Sequence, residues 1–296
     1  MSIDTKELMR QVGKIRFFTK RLVDDRMSGE YHSVFKGHGI EFDEVREYVP
    51  GDDIRTIDWN VTARMGHPFI KRFSEERELT VMFLVDVSGS MCFGSGARPK
   101  AELAAEVTSL LALAAIKNQD KVGMILFSNQ IVKYLPPRKG RTAAMRLVRE
   151  ALAAEETRHG TDIAGALAFL TKVQKRKIVV FLISDFMSGD YEKELRMVAR
   201  RHDLIVCHLS DPREKDLSDA GVIEVQDPET GFVYIVDTSS AAVRKKFRER
   251  AQAENAALGA SFKRIKADSL ALSTDRPYID DIRRLFRLRQ KRAQRM

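Results

Sequence analysis

The chain has 296 residues, 44% hydrophobic and 31% charged, enough for one large or two modest globular domains around a sizeable core. Its two cysteines, Cys92 and Cys207, have no metal-ligand spacing, no run approaches the ~18 apolar residues of a membrane span, and Met1-Ser-Ile-Asp-Thr-Lys-Glu carries charge where a signal peptide needs an apolar region; together these predict a reduced, soluble, cytoplasmic protein. Net charge is +9, but seven basic residues face two acidic ones from Pro277 onward, so a nucleic-acid reading rests on one terminal helix rather than on a basic domain face.

Residues 1 to about 26 (Leu8, Val12, Ile15, Phe18, Leu22) are apolar at helical spacing and predict an amphipathic leading helix. From Ser28 to Arg77 the chain is turn-rich and charged. Pro50-Gly51 marks a turn, Trp59 is expected to pack the segment onto something larger, and Phe69 to Phe73 reads as a strand. Leu79 to Val85 is apolar at successive positions, the pattern of a strand buried on both faces of a parallel sheet. Pro99 opens a helix to Lys117, and Val122–Phe127 pairs with Ile131–Leu135. Helices follow at Arg141–Ala154 and from Gly160-Thr161-Asp162 through Leu170, then strand Ile178–Ile183, helix Tyr191–Arg201 and strand Leu204–Leu209. Gly221–Gln226 and Phe232–Val236 read as a hairpin at the sheet edge, ahead of helix Ala241–Leu258, a basic strand Ser261–Lys266 and the terminal helix. Strands alternating with helices predict a doubly wound, mostly parallel α/β sheet. The chain divides into an amino-terminal segment (1–78), the α/β domain (79–268) and a basic helix (269–296).

Three loops fall on one edge of that sheet: Asp86-Val87-Ser88-Gly89-Ser90, Gly160-Thr161-Asp162 and Ser184-Asp185. Ligands of open α/β sheets bind at this carboxyl edge. Carboxylates and hydroxyls converging there suit a hard cation, Mg²⁺, or Mn²⁺ or Ca²⁺ in its place. The competing reading makes them caps, with Thr161 an N-cap and Ser88 and Ser90 bonded to turn amides.

The pattern resembles the metal-ion-dependent adhesion site of von Willebrand factor A domains, Asp-x-Ser-x-Ser, then Thr, then Asp. The resemblance implies a Rossmann-like fold with Asp86, Ser88, Ser90, Thr161 and Asp185 as metal ligands. Phe186 departs from it, standing where many members have Gly, which should stiffen the loop. Glu47-Tyr48-Val49-Pro50-Gly51-Asp52-Asp53-Ile54-Arg55-Thr56-Ile57-Asp58-Trp59, Ala63-Arg64 and Lys71-Arg72-Phe73, leading into that strand, resemble the bacterial domain-of-unknown-function 58 family. Its members are found alongside MoxR-type AAA+ ATPases, so the resemblance implies a non-catalytic adaptor or co-chaperone that engages such an ATPase and its clients.

Asp86 also suits a phosphoryl-accepting nucleophile with Mg²⁺, but that chemistry needs an acid two residues on, where Ser88 stands. No Gly-x-Ser-x-Gly elbow and no Gly-Lys-Ser/Thr loop is present, so energy must come from a partner. The histidines lack zinc spacing, and Cys92 reads as a small residue packed near the metal loop. The acidic run Glu41 to Asp58 suits either a bound cation or, with Arg46, Arg55 and Arg64 interleaved, an internal ion-pair network, and the interleaving favours the network. The tail, with Ile279, Ile282, Leu285, Phe286 and Leu288 at helical spacing, can dock on the protein's own core, on an ATPase or on nucleic acid; no base-stacking aromatics accompany it.

Overall fold

A computed structural model describes residue 31 and residues 41–74, 78–96, 98–154, 160–227 and 231–293. The leading helix expected over residues 1–26 lies outside them. Two compact units are present, one spanning Phe35–Leu79 and the other holding the rest of the chain.

In the smaller unit, β1 (Glu41–Glu47) pairs antiparallel with β2 (Phe69–Ser74), with a register shift between Phe42 and Glu44. Between them α1 (Trp59–Met65) starts at Asp58, whose carboxylate accepts from the N–H groups of Asn60 and Val61, and ends at Gly66 in the left-handed region. Two pairs of the expected ion-pair network are present: Arg46 forks onto Asp52 at 2.7 and 2.9 Å, and Arg55 meets Asp53. These arginines hold both carboxyls below the usual range. Trp59, expected as a packing anchor, is instead 67% exposed.

The larger unit is built on a six-stranded sheet in the order β10-β7-β6-β3-β4-β5. Its members are β3 (Thr80–Asp86), β4 (Lys121–Phe127), β5 (Ile131–Arg138), β6 (Val179–Ser184), β7 (Asp203–Ser210) and β10 (Asp268–Ser273). All neighbours are parallel except β4 and β5. From β3 the chain steps outward to β4 and β5, then crosses back to β6 on the other side. The strand order therefore reverses between β3 and β6, the point where open α/β sheets form their binding crevice.

Helices cover both faces. On one, Met82, Leu84, Val180 and Leu182 pack with Ile163, Leu167 and Leu170 of α4 (Ile163–Val173), Leu195 and Val198 of α5 (Glu192–Arg201), and Phe262 of α6 (Ala241–Arg264). On the other, α2 (Lys100–Lys117) lies against the strands and against α3 (Arg141–Leu152), and Phe83 stacks on Phe181 at 5.5 Å. Each such apolar side chain, taken fully out of water, contributes about 1.5–3 kcal/mol.

Two expectations fail near the carboxyl terminus. Ser261 to Arg264 continues α6, and the strand is Asp268–Ser273. Leu258, Phe262 and Ile265 follow helical spacing onto the core, and that face outranks the local basic-strand pattern. The hairpin of β8 (Val222–Gln226) and β9 (Val233–Asp237) is no edge of the main sheet but a two-stranded sheet of its own, because β10 takes the place beside β7. The terminal helix α7 (Ile279–Ala293) docks on its own unit: Ile282 and Phe286 are fully buried, Phe286 meets Tyr31 edge-on at 5.9 Å, and Arg289 pairs with Asp203 and Asp268. Among the described residues no helix is long and apolar enough to cross a membrane.

Candidate functional site

β3 ends at the sheet's reversal point, so its last residue, Asp86, reaches the crevice while staying buried. One Asp86 oxygen accepts from the Ser88 N–H at 2.9 Å, which closes the loop, and the other accepts from the Ser184 hydroxyl at 2.6 Å, which ties β3 to β6. Burial, reinforced by the Asp185 carboxylate, pushes the Asp86 carboxyl up to about 6, against the pull of the two serine bonds.

The hydroxyls of Ser88 and Ser90, both buried, stand 3.2 Å apart. Neighbouring oxygens on an octahedral ion with ~2.1 Å bonds lie about 3.0 Å apart, so this pair suits two adjacent ligand positions. Ser88 begins the short 3-10 turn Gly89–Cys92 without capping it through its side chain. The N-cap of α4 is Asp162, which accepts from the Gly165 N–H at 2.8 Å, and not Thr161. The capping alternative is thus not what Ser88 and Thr161 do. Thr161 and Asp185 line one cleft of about 800 Å³, and the Thr161 carbonyl accepts from the Ser188 hydroxyl on the Asp185 loop at 2.7 Å.

Asp185 is held on both oxygens, by the Met187 N–H at 3.1 Å and by the Lys100 ammonium at 2.6 Å. Lys100 is completely buried and also pairs with Glu214. Burial acts to lower its pKa, but the charges of Asp185 and Glu214 outweigh that and hold it above the ordinary value. Glu214 accepts from the Asp211 N–H at 2.8 Å, and the buried Asp211 carboxylate takes bonds from Ser95 and Thr274. A lysine in a helix's first turn reads as solvated surface, and only the strand order brings Lys100 to the crevice.

Phe186 explains how the third loop keeps its shape. Its φ is +61°, the left-handed region where a glycine sits without strain. The ring is held by Tyr191, His208 and Phe262 at 5.1–6.0 Å, so packing sustains the turn that aims Asp185. Against it His208, partly buried, is pushed down to about 4, chiefly by desolvation, and stays neutral.

Among the described residues no three His, Cys, Asp or Glu side chains cluster as metal ligands; the donors here are two carboxylates beside hydroxyls. Residues 44–257 match the family described as "Protein of unknown function DUF58". The chain belongs to that family. Among relatives, uncharacterized proteins of Mycobacterium tuberculosis and Mycobacterium bovis are each 29% identical over 98% of this chain and 92% of their own. One from Mycobacterium avium is 32% identical over 54% of this chain and 95% of its own. Among solved structures, BatB from Bacteroides thetaiotaomicron is similar at 18% identity and TM-score 0.45, covering 72% of this chain and 99% of its own. The SpRpn10 VWA domain is similar at 11% identity and TM-score 0.38, covering 70% and 94%.

Proposed function

We propose that this DUF58 protein is a metal-dependent protein-binding adaptor. Asp86, Ser88 and Ser90 would hold Mg²⁺, with Thr161 and Asp185 completing the shell. The observation that carries the reading is the Ser88–Ser90 hydroxyl pair, 3.2 Å apart and beside a buried carboxylate at the strand-order reversal. Neutral hydroxyls leave a divalent ion under-neutralised, and Lys100 already offsets much of the charge on Asp185. The ion therefore draws an external anionic ligand, and a partner's Asp or Glu side chain is the natural one.

The partner we propose is a MoxR-type AAA+ ATPase together with its client, in protein assembly or maturation, with no reaction carried out by this chain. A phosphohydrolase built on Asp86 gains nothing from the surroundings: the neighbouring acid, Asp185, is clamped by Lys100 and Met187. Nucleic-acid binding through α7 gains little either, since Arg289 and Arg292 are paired with Asp203 and Asp268.

Isothermal titration of the purified chain with MgCl₂ tests the metal step. Saturable one-to-one binding, weakened at least tenfold by the Ser88→Ala/Ser90→Ala double variant, is the expected result. Binding that both substitutions leave intact contradicts it.

A further inference from the structure

The β8–β9 hairpin is an anomaly of composition and of exposure. In a chain of net charge +9, residues 216–243 contain six acidic residues and no basic one. Phe232 to Val236 are five consecutive apolar β-formers, and Phe232, Val233, Tyr234 and Ile235 are 55–74% exposed. A lone two-stranded hairpin is marginal in water, and a third or fourth strand is what makes such a sheet stable. Among the described residues neither β8 nor β9 has a third neighbour. The outer edge of β9 carries no lysine, no proline and no bulge, devices that commonly blunt an open edge.

We infer that β9 is the dimerisation edge of this protein, pairing antiparallel with β9 of a second copy across a two-fold axis at Ile235, so that two hairpins form one four-stranded sheet. The hydrogen-bond parity of the hairpin sets the register. Asp227 donates to the Phe232 carbonyl at 2.9 Å and Thr238 to the Gly221 carbonyl at 2.8 Å. Counting alternate pairs inward, Val225–Tyr234 and Ile223–Val236 point their backbone groups at each other, and Val233, Ile235 and Asp237 point theirs outward. An axis at Ile235 sets it against its own copy and sets Val233 against Asp237 of the other chain, which pairs every outward group. Tyr234 then faces Val236 of the second copy, the aromatic-to-β-branched pairing that stabilises antiparallel sheets.

The charge pattern fits the same occupant. Asp237, the one charged residue of β9, meets a valine, and the two Asp237 side chains fall four residues apart along the strand, about 14 Å, beyond a Debye length of about 8 Å. The two copies of Glu224 are separated by three strand spacings, again about 14 Å. Two cationic molecules thus approach through the longest stretch that carries no cation. Edge pairing adds backbone hydrogen bonds and cross-strand side-chain pairs but leaves the hairpin faces in water, so the dimer is expected at micromolar rather than nanomolar concentration. Isologous two-fold pairing is the commonest way for identical chains to associate.

Sedimentation velocity of the full chain from about 1 to 100 μM tests this, alongside Ile235→Asp, whose side chain is exposed, with circular dichroism to confirm that the variant folds. The expected result is a concentration-dependent dimer weakened at least tenfold by the substitution. Register is tested in a Cys92→Ser background under mild oxidation. Ile235→Cys should form an interchain disulfide, since opposed Cα atoms about 5.5 Å apart are within disulfide reach, whereas Val222→Cys, equally exposed on the outer strand, should not. A monomer at every concentration, a dimer indifferent to Ile235→Asp, or equal cross-linking from both cysteines overturns the proposal. None of these outcomes involves the metal.

Discussion

At the scale of single residues, the crevice is governed by how its four charged groups balance, three of them buried. Lys100 is the sole cation among Asp86, Asp185 and Glu214, and it bonds two of the three. Lys100→Met should therefore leave Asp185 buried without a counter-charge and cost about 3–5 kcal/mol, read as a lowered urea midpoint. A loss below 1 kcal/mol would show that the pair contributes little. Asp86 gives the opposite kind of effect. Its carboxyl sits at about 6 in the fold against 3.8 unfolded, so the proton it keeps adds stability that is fully present below pH 3.8 and lost as pH rises through 6. The metal-free protein should lose on the order of 3 kcal/mol across that window. Mg²⁺ replaces the missing positive charge, so the rise in Tm on adding Mg²⁺ should be small at pH 5 and large at pH 7.5. A rise that is equal at both, or larger at pH 5, contradicts Asp86 as the anchoring ligand.

At the scale of elements, α7 is fixed to the sheet by Ile282, Phe286 and the Arg289 pairs, which makes it part of the core rather than a free basic arm. Phe286→Ala should cost about 3–5 kcal/mol in equilibrium unfolding, whereas Leu288→Ala, on the exposed side, should stay within about 0.5. The strands that build the crevice were legible because they are apolar at every position, which only a sheet covered on both faces requires. The three loops were legible for the same reason: a strand end followed by small oxygen-bearing side chains marks the crevice edge. Less could be read where pattern and neighbour conflict. Ser261 to Lys266 looks basic and strand-like until Leu258, Phe262 and Ile265 are seen as one helical face. The hairpin's own sequence does not specify whether a third strand adjoins it. Lys100 could not be found at all, since its burial depends on β6 and β7 returning beside β3.

At the scale of the whole molecule, a doubly wound sheet brings a crevice of carboxylates and hydroxyls to one edge, and the β7–α6 connection carries an acidic apolar hairpin. The proposed adaptor role assigns the crevice to a partner's acidic side chain. The most direct measurement is the binding of a purified MoxR-type AAA+ ATPase from the same cell to the immobilised chain, in Mg²⁺ and in EDTA, with Asp86→Ala alongside. Wild type should be captured in Mg²⁺, with at least a tenfold loss in EDTA and the same loss for Asp86→Ala in either buffer. Equal capture under all four conditions would contradict it and assign docking to a surface other than the metal crevice.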